Sequence, residues 1–132
     1  MTSICIESAE HAAALELSPS NNAFFLANLR SQGASGTARV STFMCRGLAE
    51  LFVYFADNWK GWDGSKEWSS LEGELSIAAQ SDSLGHVFLE VRLREGAPAI
   101  WTLQVKLTLE AGALAMLAGK LKEFESSVAR DE

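Results

Sequence analysis

From residue 71 to residue 109 the chain alternates apolar and polar positions with a period of two. Leu71, Gly73, Leu75, Ile77 and Ala79 share one parity, while Glu72, Glu74 and Ser76 share the other. Val87, Leu89, Val91 and Leu93 repeat the pattern against Glu90, Arg92 and Arg94. Trp101, Leu103, Val105, Leu107 and Leu109 repeat it again against Thr102, Gln104, Lys106 and Thr108. Successive side chains of a strand point to opposite faces, so three antiparallel strands with one solvated face are predicted. Residues 81–85 and 95–98 carry the turn chemistry that separates them.

On either side of this region the period changes to about 3.6. Met44, Leu48, Leu51, Phe52, Phe55 and Trp59 predict a helix over 43–58, with Ser41 or Thr42 as N-cap and Asn58 and Gly61 as the stop. Leu114, Leu117, Ala118, Leu121, Phe124 and Val128 form a second amphipathic stripe, with Lys120, Lys122, Glu123 and Glu125 mostly opposite. Nearer the N-terminus, Ile4 and Ile6 make a short alternating piece, followed by an apolar run ending at Leu17. After a turn cluster at 18–22, residues 24–31 and 37–42 read as a hairpin with a loose turn at 33–36. The expected order is βββα-βββα. It implies an α+β domain over 1–132, with an antiparallel sheet of about six strands and two helices packed on one face.

Composition adds limits. With 48% hydrophobic and 21% charged residues, the 132-residue chain can bury a core without disulfide or metal staples. The net charge of −6, from 11 basic against 17 acidic residues, argues against nucleic acid, which is held by neutralising phosphates. It disfavours anionic membranes and would attract a basic protein partner, although an acidic balance is common among plain cytosolic proteins and that is the preferred reading of the charge. Residues 43–54, the most apolar stretch, are interrupted by Arg46, Gly47 and Glu50 and are too short to span a bilayer. The N-terminal residues lack a signal-peptide pattern. Cys5 and Cys45 have no metal-ligand spacing, and two free buried thiols in a reducing cytoplasm is the simpler reading, with a disulfide left open.

Sequence motifs for nucleophilic, phosphate-binding or zinc chemistry are missing, so no catalysis and no cofactor are expected. Binding chemistry has more to work with. Trp59, Trp62 and Trp68, three of the four tryptophans, fall within ten residues around Gly61, Asp63 and Gly64. Tryptophan supplies large rigid contact area at interfaces. It also pins loops over a core, and that structural reading is preferred for Trp59, which completes the helix stripe, and for Trp68. Trp62, between two glycines, fits an exposed turn as well as a packed one. Glu72 and Glu74, two apart, would point to one side and could do acid–base work or bind a cation, though a solvated sheet face is the commoner meaning. That face also carries Glu90, Arg92, Arg94 and Lys106, able to pair across strands. Asp82 joins these acids on or just beyond the same polar face, and His86, at the start of a strand near them, could titrate near neutrality as a switch or base or simply make one hydrogen bond in a turn. His11 suggests no chemistry. Trp62, Asp63, Trp68, Glu72, Glu74, Asp82 and His86 are therefore the candidate binding residues.

The run GWDGSKEWSSLEGELSIAAQSDSLGHVFLEVRL, residues 61–93, resembles the centre of a family of small uncharacterised bacterial proteins. In that family a GW-x-G…W…SLEGEL segment leads into a D-x-x-GHV strand. The strand of Trp101 and the helix of Leu114, Leu117 and Phe124 also fit, so the likeness covers the last two-thirds of the chain and leaves residues 1–40 unmatched. The family is similar in layout to immunity proteins that neutralise contact-dependent, wall-associated toxins. The resemblance implies a cytoplasmic protein that binds and blocks a basic toxin domain. A competing expectation is a small-ligand or metal-binding module in which Asp63, Glu72, Asp82 and His86 converge on one pocket. A hydrolase built around His86 ranks behind both. An open sheet also leaves an edge through which a homodimer could form.

Overall fold

A computed structural model describes residues 3–20, 24–41 and 47–130, with side chains described as far as Val128. Its elements run β1 (Ile4–Glu7), β2 (Ala14–Pro19), β3 (Phe24–Arg30), β4 (Ser35–Ser41), α1 (Leu48–Asp57), β5 (Lys66–Ser69), β6 (Leu75–Ser81), β7 (His86–Glu95), β8 (Trp101–Glu110) and α2 (Ala111–Arg130). The α+β class holds. The single six-stranded sheet does not: the strands form two four-stranded antiparallel meanders, β1-β2-β3-β4 and β5-β6-β7-β8. Alternation identifies the face a residue occupies, and it is silent about which strands share a sheet. Each half therefore reads ββββα. The extra strand in the second half is β5, whose sequence KEWS is too short and too polar to display a period.

The inner faces of the two sheets and one side of each helix share one core. Ile4, Ile6, Leu15, Leu17, Phe25, Ala27, Leu29, Ala38 and Val40 come from the first sheet. Leu75, Ile77, Val87, Leu89, Val91, Leu93, Val105, Leu107 and Leu109 come from the second. β3 and β4 approach β7, while the paired helices bridge the sheets, α2 against β1 and β8 and α1 against β5. The helices thus close a core between two sheets and do not roof a single sheet. Gly36 allows a close crossing of the layers: a Cβ there would lie 2.9 Å from the Trp101 ring.

The start of α1 also departs from expectation. Ser41 ends β4, while Thr42, Met44 and Cys45 lie outside the described residues. Gly47 occupies the N-cap position with φ 93° and offers no side chain. Its place is taken from another helix. The Glu125 carboxylate of α2 accepts the Leu48 N–H at 3.2 Å and the Ala49 N–H at 3.1 Å, satisfying two of the donors a helix start leaves open. Desolvation of this half-buried carboxyl raises its pKa, and the two amide bonds counteract only part of the rise. Glu125→Ala is expected to cost about 0.5–2 kcal/mol, the usual range for a lost cap, whereas Glu125→Gln keeps an acceptor and costs less. Because the folded pKa lies above the unfolded one, ionising Glu125 opposes folding. Wild type should therefore gain stability relative to Glu125→Gln as pH falls from neutral through the raised folded value toward the ordinary 4.5, in urea titrations at several pH values.

At the other end, Asn58 stops α1 as expected: its N–H reaches the Tyr54 carbonyl at 3.0 Å and its side-chain amide reaches the same oxygen at 2.9 Å. Trp59 lies beyond the helix and is 49% exposed, so it does not complete the stripe. Cys5 is a free thiol on the exposed side of β1, contrary to the expected burial, with an Arg30 guanidinium nitrogen 3.6 Å from its sulfur.

Candidate functional site

The seven candidate residues divide between the two ends of β6 and its neighbour β5. Trp62, Asp63, Asp82 and His86 gather where β6 ends and β7 begins. Glu72 and Glu74 stand before β6 starts, in the reversal from β5. The seven residues of β6 separate these groups by roughly 20 Å at about 3.3 Å per residue. The expected convergence of Asp63, Glu72, Asp82 and His86 on one pocket is therefore overturned. Among the described residues, no group of three His, Cys, Asp or Glu side chains is placed to hold a metal ion.

Glu72 and Glu74 do not share a strand face, because residues 70–74 form a turn. Gly73 adopts φ 77° there, its N–H bonding the Ser70 carbonyl, and Leu71 is 52% exposed where alternation placed it inward. The Glu74 carboxylate is committed to structure: it accepts the Ser70 hydroxyl at 2.8 Å and the Ser41 N–H at 3.2 Å, tying the two sheets together. Glu72 is exposed, and its carbonyl accepts a hydrogen bond from Arg94. Trp68 sits opposite Ile77 and so faces inward, toward Gly47 at the start of α1.

At the far end of β6 the loops interlock. The Trp62 indole stacks on Phe55 at 5.1 Å and 7°, with Tyr54 edge-on at 5.5 Å. The Trp62 N–H donates to the Ser81 hydroxyl at 2.9 Å. Trp62 is thus half-buried on the core, and its indole N–H is buried without a described partner. Asp63 is exposed. Together with Lys60, Ser81, Asp82 and Ser83, these residues line an open depression of about 350 Å³. Trp59 and Leu84, 49% and 79% exposed, belong to the same two loops.

Asp82 and His86 form a close pair. One carboxylate oxygen of Asp82 accepts the N–H groups of Leu84 at 2.9 Å and His86 at 3.0 Å, and the other meets His86 Nδ1 at 2.8 Å. The carboxylate fixes the tautomer with Nδ1 protonated. The backbone bond from His86, with the imidazole bond and the Leu84 N–H, holds the Asp82 carboxyl below the ordinary range. The Asp82 hydrogen bond raises the His86 pKa, and the charges of Glu10 and Glu110 add to it. The signs set a window. His86 stabilises the fold below its unfolded value near 6.5 and loses that contribution as pH rises through the raised folded value. Asp82 contributes above 3.8 and loses it as pH falls through its lowered folded value. The Tm advantage of wild type over His86→Gln should peak at about pH 5 and shrink on both sides, as scanning calorimetry across pH would show. Both side chains are about one-third exposed, so the effect is modest.

The outer face of the second sheet is the other open surface. Small Ser76 and Ala78 on β6 leave a trough of about 450 Å³ between Glu67 on β5 and Glu90 and Arg92 on β7. Arg92 donates to Gln104 Oε1 at 2.9 Å, and Gln104 Nε2 donates to Glu90 at 3.3 Å, so the expected cross-strand pairing of charges runs through a glutamine. Sequence reasoning missed Glu125 and His11. Both act through contacts 77 and 95 residues away in the chain, for which no local pattern exists.

No helix among the described residues is long and apolar enough to cross a membrane. No curated protein matches the chain. The model of a family of unknown function, DUF6228, matches residues 6–127, so the relationship extends well upstream of the last two-thirds that the motifs suggested. The chain belongs to the DUF6228 family, whose function is unknown.

Proposed function

We propose that this chain is a non-catalytic, cytoplasmic protein-binding module of immunity type, which neutralises a bacterial toxin domain by occupying it. The observation that carries the reading is the outer face of the second sheet. It holds an open trough and presents Glu67, Glu90, Arg92 and Gln104 as a mixed-charge, hydrogen-bonding surface on paired strands. Such a surface suits a polar protein interface, where hydrogen bonds and complementary charge set specificity. The net charge of −6 would speed encounter with a basic domain. At the end of β6, Trp59 supplies exposed aromatic area of the kind that anchors interfaces, and Leu84 adds exposed apolar area. The family's resemblance to immunity proteins, in length, acidic character and the GHV strand, is the sequence ground for the same reading.

The test is binding of the purified chain to toxin C-terminal domains encoded beside its gene, by calorimetry at two salt concentrations. A salt-sensitive complex at or below micromolar Kd, weakened by Glu90→Lys or Arg92→Glu, is expected. No complex at micromolar concentration, or no large secreted toxin gene in the neighbourhood, counts against it.

A further inference from the structure

We infer that residues 8–11 form a strap that guards the edge of β8 against pairing with a second copy of this chain. β8 is the terminal strand of its sheet and ten residues long, whereas the terminal strands β1 and β5 have four residues each. β4, the remaining terminal strand, lies against β7 and has its Ser41 N–H bonded to Glu74. A long unprotected edge is a template for another strand, because its N–H and C=O groups lack partners. Here the chain supplies them from the loop between β1 and β2. The Ala9 N–H donates to the Thr108 carbonyl at 2.7 Å, the Thr108 N–H donates to the Ser8 hydroxyl at 3.0 Å, and His11 Nε2 donates to the Lys106 carbonyl at 2.6 Å.

These are the groups that a ninth strand would use. In an antiparallel ladder alternate residues direct both backbone groups to the same side, so Lys106 and Thr108 turn theirs away from β7 together. Burial agrees: Thr108 shares the parity of the solvated face yet is only 3% exposed. Without the strap, two β8 edges could pair about a two-fold axis centred on Leu107. That register sets Lys106 opposite Thr108 and Gln104 opposite Glu110, with no like charges opposed.

Ser8→Ala with His11→Ala removes both side-chain bonds and tests the guard in the full chain. Ala9→Pro, added to the pair, removes the third if the Thr108 amide stays protected. Wild type should sediment as one copy across concentration. The released variant should show about tenfold faster exchange at the Thr108 amide when dilute, and a mass rising toward two copies when concentrated. Lys106→Pro in the released background should return the mass to one copy, since the Lys106 N–H points outward and its loss breaks no ladder bond. A released variant with a fast Thr108 amide that stays at one copy overturns the inference. So does association that Lys106→Pro fails to reverse.

Discussion

Replacing Phe124 by alanine should lower the unfolding free energy by about 3–5 kcal/mol and the Tm by roughly 10–20 °C. Phe124 is one contact of α2 with the first sheet: its ring meets Phe25 of β3 at 5.4 Å and 88°, in an edge-to-face geometry. Phe124 is 4% exposed and Phe25 1%. The cost combines lost apolar burial with a cavity that the surroundings cannot collapse to fill, since β3 is paired on both sides by β2 and β4. Phe124→Leu, which keeps part of the volume, should lose less than half as much. A double-mutant cycle with Phe25→Ala separates the ring pair from the burial and should return a coupling of about 0.5–1.5 kcal/mol. Strict additivity of the two substitutions in urea titrations would show that the rings contribute by volume alone.

Gly61→Ala should cost about 1–3 kcal/mol, and it should disturb the candidate site as well as the fold. Gly61 has φ 118°, a conformation that side-chain-bearing residues avoid. A Cβ there would lie 3.0 Å from the Asp82 carbonyl oxygen, which is backbone and cannot swing aside. Relief would push the 60–63 loop off the 81–83 loop, loosening the Trp62 N–H bond to Ser81 and the stack of Trp62 on Phe55. A lower Tm should thus come with a red shift in tryptophan emission as the indole gains water. A variant with wild-type Tm and emission would mean that this loop conformation is not the one the protein holds in solution.

Much of the local architecture was legible in the chain. Val87, Leu89, Val91 and Leu93 are each no more than 1% exposed, as their alternation required. Leu48, Phe52, Phe55, Leu114, Leu121 and Phe124 are buried as helical spacing required. Alternation failed at residues 71–74, where Leu71 and Gly73 matched the parity of β6 by coincidence. Gly73 at positive φ and the Ser70 bond to Glu74 make that segment a turn. The candidate site was half legible. Sequence position put His86 near the acids Glu72, Glu74 and Asp82 without distinguishing among them, and its imidazole bonds Asp82. The tryptophan cluster drew attention to Trp62, whose ring lies flat on Phe55, and passed over Trp59, which is the exposed one.

By itself the sequence determined which side of the longer elements is apolar, where most of the turns fall, and that the whole is α+β. Those properties depend on neighbours a few residues apart, whose geometry is set by the backbone. Only the tertiary structure decided that eight strands divide into two sheets, that Glu125 caps α1, that Glu74 joins the sheets, and that a loop from the first sheet covers the edge of the second. Each of these is a hydrogen bond or a packing choice between distant segments. A polar group is satisfied equally well by any partner that arrives with the right geometry, and that geometry exists only once the core has brought the segments together.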